Sequence, residues 1–176
     1  RLLSKYTDLP RVQYLNQVFP DALFVHIVRD GRAVAASYHQ KVASGEMGTW
    51  RNKDWWVSGW PKEWQQWWER EFGGKLAFTA FQWAYFVKCI REDLSSLEGN
   101  RSIEVRYSDM MESSMKEIER IFRFTGLKKS NKLNYYVENI DLDTRNYKWR
   151  KRLTEGEISV LNSVVGSVLP RENRLT

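Results

Sequence analysis

The stretch Phe19-Pro20-Asp21-Ala22-Leu23-Phe24-Val25-His26-Ile27-Val28-Arg29-Asp30-Gly31-Arg32-Ala33-Val34-Ala35-Ala36-Ser37 constrains this chain more than any other segment. Leu23 to Val28 is an almost unbroken apolar run, the pattern of a strand covered on both faces within a parallel sheet. Asp30-Gly31 is a turn signal, and the residues after it have the spacing of a helix rich in small side chains. Such a unit carries a cation, Arg29, to the carboxyl edge of a sheet just before a helix N-terminus. The helix dipole and unpaired amides there favour an anion. Ser37 follows Arg29 by eight residues, two turns into the helix, so both can reach one phosphate from different sides. The same residues admit a plainer reading: a parallel strand capped by a solvated Arg-Asp turn, with Ser37 a small packing residue.

A length of 176 residues is that of one domain and is enough to bury a substantial core. Nine Trp, eight Tyr and eight Phe supply apolar area, while 28 Lys and Arg against 22 Asp and Glu keep the chain soluble and globular in character. No apolar run approaches the roughly eighteen residues that a membrane-spanning helix needs. Arg1-Leu2-Leu3-Ser4 is neither a signal peptide nor an obvious start, which points to a fragment. A single Cys89 excludes an internal disulfide framework and a cysteine-built metal site. His26 and His39 have no carboxylates spaced around them as ligands, so no metal is expected. The net charge of +6 suits an anionic ligand, a nucleic acid or an acidic membrane surface equally.

Along the chain, Pro10 to Val18 has helical spacing, followed by the strand and the small-residue helix to about Ala43. Ser44 to Pro61 holds Gly45, Gly48 and Gly59 among several tryptophans with no clean period and reads as a long loop or insertion. Lys62 to Phe72 and Lys75 to Leu97 read as helices, the second with Ala80, Ala84, Val87, Ile90 or Arg91, and Leu94 on one side. Ser102 to Tyr107 alternates as a strand. Ser108 to Glu112 is a turn or short helix. Ser114 to Phe124 is an amphipathic helix with Met115, Ile118, Ile121 and Phe122 inward, ended by Gly126. Residues 128–152 read as polar and irregular apart from one helix near Lys132 to Glu138. Thr154-Glu155-Gly156-Glu157 opens a last helix with a capping box. Strands alternating with helices argue a layered α/β domain with a parallel sheet. Two strands make a poor sheet, so either edge strands are hidden or part of the sheet lies outside the chain.

Phe19 to Ser37 resembles the 3'-phosphate-binding segment of sulfotransferases, which use 3'-phosphoadenosine-5'-phosphosulfate as sulfuryl donor. The resemblance implies that Arg29 and Ser37 bind the 3'-phosphate of the nucleotide. Some members, the protein-tyrosine sulfotransferases among them, add a basic residue one turn later, where this chain has Lys41. The implied fold is a helix-rich, three-layer P-loop-like α/β domain around a central parallel sheet. The family's first strand and its 5'-phosphosulfate loop have no counterpart in Arg1 to Thr176. The resemblance therefore implies an N-terminally incomplete domain that binds the bisphosphate product weakly and turns over poorly. Ser4-Lys5-Tyr6-Thr7 matches the family segment carrying a catalytic Lys, here Lys5. Ser4 and Thr7 stand where the general base of that segment would be, and a neutral hydroxyl does not fill that role unaided. Asp8, a residue outside the chain, or a shifted alignment remain as the source of the base.

The same resemblance reaches Ile103-Glu104-Val105-Arg106-Tyr107-Ser108-Asp109, where Tyr107 matches an aromatic residue that contacts the nucleotide. Its plainer reading is a strand-end ring packed under a loop. Thr144 to Thr154 resembles the late basic loop that closes over the nucleotide, with Arg145, Lys148 and Trp149 as the implied contacts and Trp149 orienting the loop. A solvated basic loop is the alternative. Seven of the nine tryptophans fall between Trp50 and Trp68. The Trp-rich insertion 44–74 is accordingly either an acceptor-binding region, a satellite core or a membrane-surface patch. The implied activity is sulfuryl transfer to a hydroxyl or amine of a small molecule, glycan or protein, in the cytoplasm or as part of a Golgi-lumenal or anchored parent. No metal, nucleic acid or membrane span is expected. A Mg²⁺-dependent kinase-like phosphoryl transferase and a non-catalytic basic module for sulfated glycan or nucleic acid are the competing classes.

Overall fold

A computed structural model describes residues 2–7, 10–44, 62–71, 75–128, 131–139 and 145–166. Its elements are α1 (Val12–Val18), β1 (Phe24–Val28), α2 (Gly31–Ala43), α3 (Lys62–Glu71), α4 (Lys75–Ser95), β2 (Ser102–Arg106), α5 (Tyr107–Glu112), α6 (Ser114–Thr125), α7 (Asn131–Asn139), a 3-10 segment (Arg145–Lys151) and α8 (Glu155–Val165). The strands β1 and β2 pair in parallel, Phe24 opposite Ser102 and Val28 opposite Arg106. A parallel pair requires a crossover, which the helices α2 to α4 supply. The chain forms two compact units, one of Arg1–Val28 with Phe86–Asp143, the other of Arg29–Tyr85 with Thr144–Thr176. Among the described residues, no helix is long and apolar enough to cross a membrane.

In the first unit, the expected double coverage of β1 is not met. Val28 is buried, but Ile27 is 56% and Leu23 42% exposed. Among the described residues β1 pairs with one strand, β2. The pair buries Val28 and Val105, and a polar cluster flanks them. Glu104 on β2 accepts two hydrogen bonds from Arg91 of α4, both 2.8 Å. His26 on β1 brings Nδ1 to 3.4 Å from Glu104 Oε2. Arg120 of α6 donates to the Glu104 backbone carbonyl at 2.7 Å and pairs with Glu117 at 2.7 Å. Glu117 is the buried residue of α6, whereas the expected inward set Met115, Ile118, Ile121 and Phe122 is half-buried. Gly126 ends α6 in the left-handed conformation, φ 64, as its position after the amphipathic run predicts. Arg101 fixes the approach to β1 by donating to the Asn16 side chain at 2.8 Å.

The second unit is apolar. Leu76, Ala77, Phe78, Thr79, Ala80, Phe81, Trp83 and Ala84 are all buried, so the first half of α4 is covered on every side rather than along one stripe. Leu161, Val164 and Val165 of α8 are buried as well. The expected capping box is present: Thr154 Oγ1 accepts from Glu157 N at 3.3 Å, and Glu157 Oε2 accepts from Thr154 N at 2.9 Å. The bonds that the Glu157 carboxylate accepts from Thr154 N and Thr154 Oγ1 hold it below its usual range. Gly31, read from sequence as part of a turn, is the first residue of α2, and its need for glycine is spatial. A Cβ there would lie 2.4 to 2.8 Å from three atoms of the Trp83 ring.

Two outcomes follow from this packing. The Arg91 hydrogen bonds, with a lesser contribution from His26, depress Glu104 from 4.5 to about 2. A carboxylate depressed on folding stabilises the fold fully above its unfolded value. That stabilisation declines as pH falls from 4.5 towards about 2. In urea unfolding across this range, wild type should exceed Glu104→Gln by a margin that shrinks as the solution is acidified; a margin independent of pH would contradict the assignment. Gly31→Ala should destabilise by roughly 1–3 kcal/mol through overpacking against a buried ring. Ala is the better helix former by about 1 kcal/mol, so an equal or raised unfolding midpoint would show that Trp83 yields.

Candidate functional site

The residues that the sequence offers for an anion are found chiefly in the second unit, around α2. Arg29 follows β1 directly and is half-buried. Ser37, also half-buried, lies six residues beyond Gly31, about 9 Å along the helix axis at 1.5 Å per residue. Lys41 is one turn further, exposed, and on the same ridge because residues four apart stack on a helix surface. Hydroxyl and ammonium thus share one line on α2. This donor set suits a phosphate dianion.

Asp30 does more than mark a turn. Its Oδ1 accepts from the backbone N of Arg32 at 2.9 Å, the bond of an N-cap, and its carbonyl accepts from Val34 N at 3.1 Å. The same carboxylate receives Arg32 Nε at 3.0 and 3.1 Å and Arg32 Nη2 at 2.7 Å. Arg32 Nη1 donates to Asn162 Oδ1 of α8 at 2.9 Å. The Arg32 side chain is 8% and that of Asp30 19% exposed, so this is a buried pair. One of the early amides of α2 is therefore already bound by a protein carboxylate whose charge Arg32 balances. An Asp immediately before a helix start was a sequence signal for the cap. The reach of Arg32 to a residue 130 positions away was not.

The basic stretch near the C-terminus, expected to be irregular, is a 3-10 helix over Arg145–Lys151. Trp149 is the reason. It is 4% exposed and packs in a cluster with Ala33 and Ala36 of α2, with Leu153 and Ile158 against it. The guanidinium of Arg32 lies 4.9 Å and that of Arg150 5.5 Å from its ring centroid. Its Nε1 is buried with no hydrogen-bond partner among the described residues. An unmade hydrogen bond costs about 1–3 kcal/mol. Burying roughly 200 Å² of indole at about 25 cal/mol per Å² contributes about 5 kcal/mol, so the packing wins. Arg152 adds a second tie, donating to the Gln40 side chain of α2. Lys148, Arg150, Lys151 and Arg152 are exposed. The ring anchors a cationic segment to the same helix that carries Ser37 and Lys41.

Arg145 lies at the start of the 3-10 helix. Tyr107 is the first residue of α5, half-buried, and Lys5 is exposed in a segment without regular structure; both belong to the first unit. Asp8 and most of the 44–74 region lie outside the described residues, apart from Ser44 and α3, whose placed polar residues Lys62, Glu63, Gln66, Glu69 and Arg70 are exposed. No group of three or more His, Cys, Asp or Glu side chains able to hold a metal ion occurs among the described residues.

Comparison with known proteins gives this arrangement its context. No curated protein sequence matches the chain. Among solved structures, it is similar to the "Sulfotransferase Domain from the Curacin Biosynthetic Pathway", with a TM-score of 0.56 and 14% sequence identity. The likeness covers 90% of this chain and 58% of that one, so the chain spans less than two thirds of the domain it resembles. At this identity the likeness establishes a common P-loop-like α/β fold. The sequence pattern of the Sulfotransferase family matches residues 5–131, which include β1, Arg29 and the whole of α2. The chain belongs to the sulfotransferase family.

Proposed function

We propose that the chain binds 3'-phosphoadenosine-5'-phosphosulfate and serves its transfer of a sulfuryl group to a hydroxyl or amine acceptor. The observation carrying this reading is the family match across the β1–α2 unit, in which Arg29 leaves the strand and Ser37 and Lys41 line one ridge of the helix. In this reading the Arg29 guanidinium and the Ser37 hydroxyl take the nucleotide's 3'-phosphate, and Lys41 adds charge. Tyr107 is a further nucleotide contact that the family resemblance implies. Arg145 and Lys148 hold it through the 3-10 segment, which Trp149 keeps on α2. Lys5 acts at the reacting end, and the Trp-rich 44–74 region receives the acceptor.

The reaction is an in-line displacement. The acceptor oxygen or nitrogen forms a bond to sulfur while the bond from sulfur to the 5'-phosphate oxygen breaks. The acceptor proton passes to a base, and adenosine 3',5'-bisphosphate departs with the charge that surrounding cations stabilise. Lys5, a cation, suits the leaving oxygen and not the base.

Calorimetry with adenosine 3',5'-bisphosphate tests the reading. Binding should be measurable with the wild type and weakened about 10- to 100-fold in Arg29→Ala, the equivalent of losing a charge-assisted contact of roughly 1.5–3 kcal/mol. Equal affinity in the two proteins would remove the 3'-phosphate assignment. A strict requirement for Mg²⁺ in group transfer would favour the phosphoryl-transfer class. Binding that the bisphosphate does not compete for, and that collapses with salt, would favour a polyanion-binding module.

A further inference from the structure

Arg32 is the most heavily committed side chain on α2, yet it is not one of the residues that the donor-site reading uses. It makes three hydrogen bonds to the Asp30 carboxylate and one to Asn162 of α8, and its guanidinium lies over the Trp149 ring. Its partners come from three separate places in the sequence. Asp30 is the residue between Arg29 and α2, and its carboxylate caps that helix through the Arg32 amide. Trp149 anchors the segment carrying Lys148 and Arg150 to Ala33 and Ala36. Asn162 belongs to α8, the helix that follows this segment.

A carboxylate beside a phosphate-binding arginine is an electrostatic liability. Left unpaired, Asp30 would repel an incoming dianion and compete for the neighbouring cation. Arg32 occupies both of its oxygens, which removes the repulsion and fixes the carboxylate on the helix cap. A Lys in its place would keep the charge but not the fork that spans two carboxylate oxygens, an amide oxygen and an aromatic face at once.

We propose that Arg32 is a positioning residue for anion binding: by neutralising and aligning Asp30 and clipping the Arg145–Lys151 segment and α8 to α2, it sets the geometry in which Arg29, Ser37 and Lys148 meet a nucleotide phosphate. This rests on the donor-site reading above. It adds a residue that touches no ligand atom and acts through Asp30 and Trp149.

The test is calorimetric titration of adenosine 3',5'-bisphosphate into the wild-type chain, Arg32→Lys, Arg32→Met and the double variant Asp30→Asn/Arg32→Met. Stoichiometry and affinity are read separately. A merely structural role lowers the fraction of protein that binds and leaves the dissociation constant of the folded remainder unchanged. A positioning role raises that constant, by about tenfold in Arg32→Met, the scale on which removing an outer partner weakens a ligand site. The double variant should recover part of the loss, because the uncompensated carboxylate has gone with its partner. Should Arg32→Met fail to fold, Arg32→Lys carries the measurement, with a smaller rise expected. Wild-type binding together with unchanged constants in every folded Arg32 variant overturns the proposal alone. A wild type that does not bind the bisphosphate overturns the donor-site reading, and the proposal falls with it.

Discussion

The ion pair between Asp30 and Arg32 is the contact on which the second unit's arrangement depends. Buried pairs are not intrinsically strong, since removing both charges from water costs about as much as their attraction returns. The worth of this one is in what it joins. Its members are two residues apart, yet through Asn162 and Trp149 it reaches two elements from the far end of the chain. Loss of either member alone would leave an uncompensated charge in a site less than one fifth exposed. The pair therefore behaves as a unit.

The first unit uses a different solution to the same problem. Its two strands bury Val28 and Val105, and Glu104 gathers Arg91 from α4 through its side chain and Arg120 from α6 through its carbonyl. Charged side chains with several donors thus add alignment to the apolar contact. His26 stands beside this cluster, its Nδ1 3.4 Å from the carboxylate.

What could be read from the sequence was local. The β1–α2 unit, the glycine stop at Gly126 and the capping box at Thr154 each depend on residues a few positions apart, and each is present. The family likeness, carried by Phe19 to Ser37, was legible for the same reason, since its residues form one strand and one helix. What escaped was long-range. Nothing in the order of residues says that Arg32 meets Asn162, or that Trp149 packs on Ala33 and Ala36. The basic stretch looked irregular because its order comes from one ring buried against a distant helix. Glu117 misled in a different way: a carboxylate on an amphipathic helix is normally placed outside, and here Arg120 lets it turn inward.

The absence of a side chain at Gly31 has a consequence for motion as well as for packing. The head of α2 sits so close to the Trp83 ring that its backbone is indexed to that point of α4, like a key seated in its notch. Sliding or rolling of α2 on the ring would bring the flanking Asp30 or Arg32 into the space that only a hydrogen atom fits. The close seating thus opposes motion of α2 along α4 at this one point.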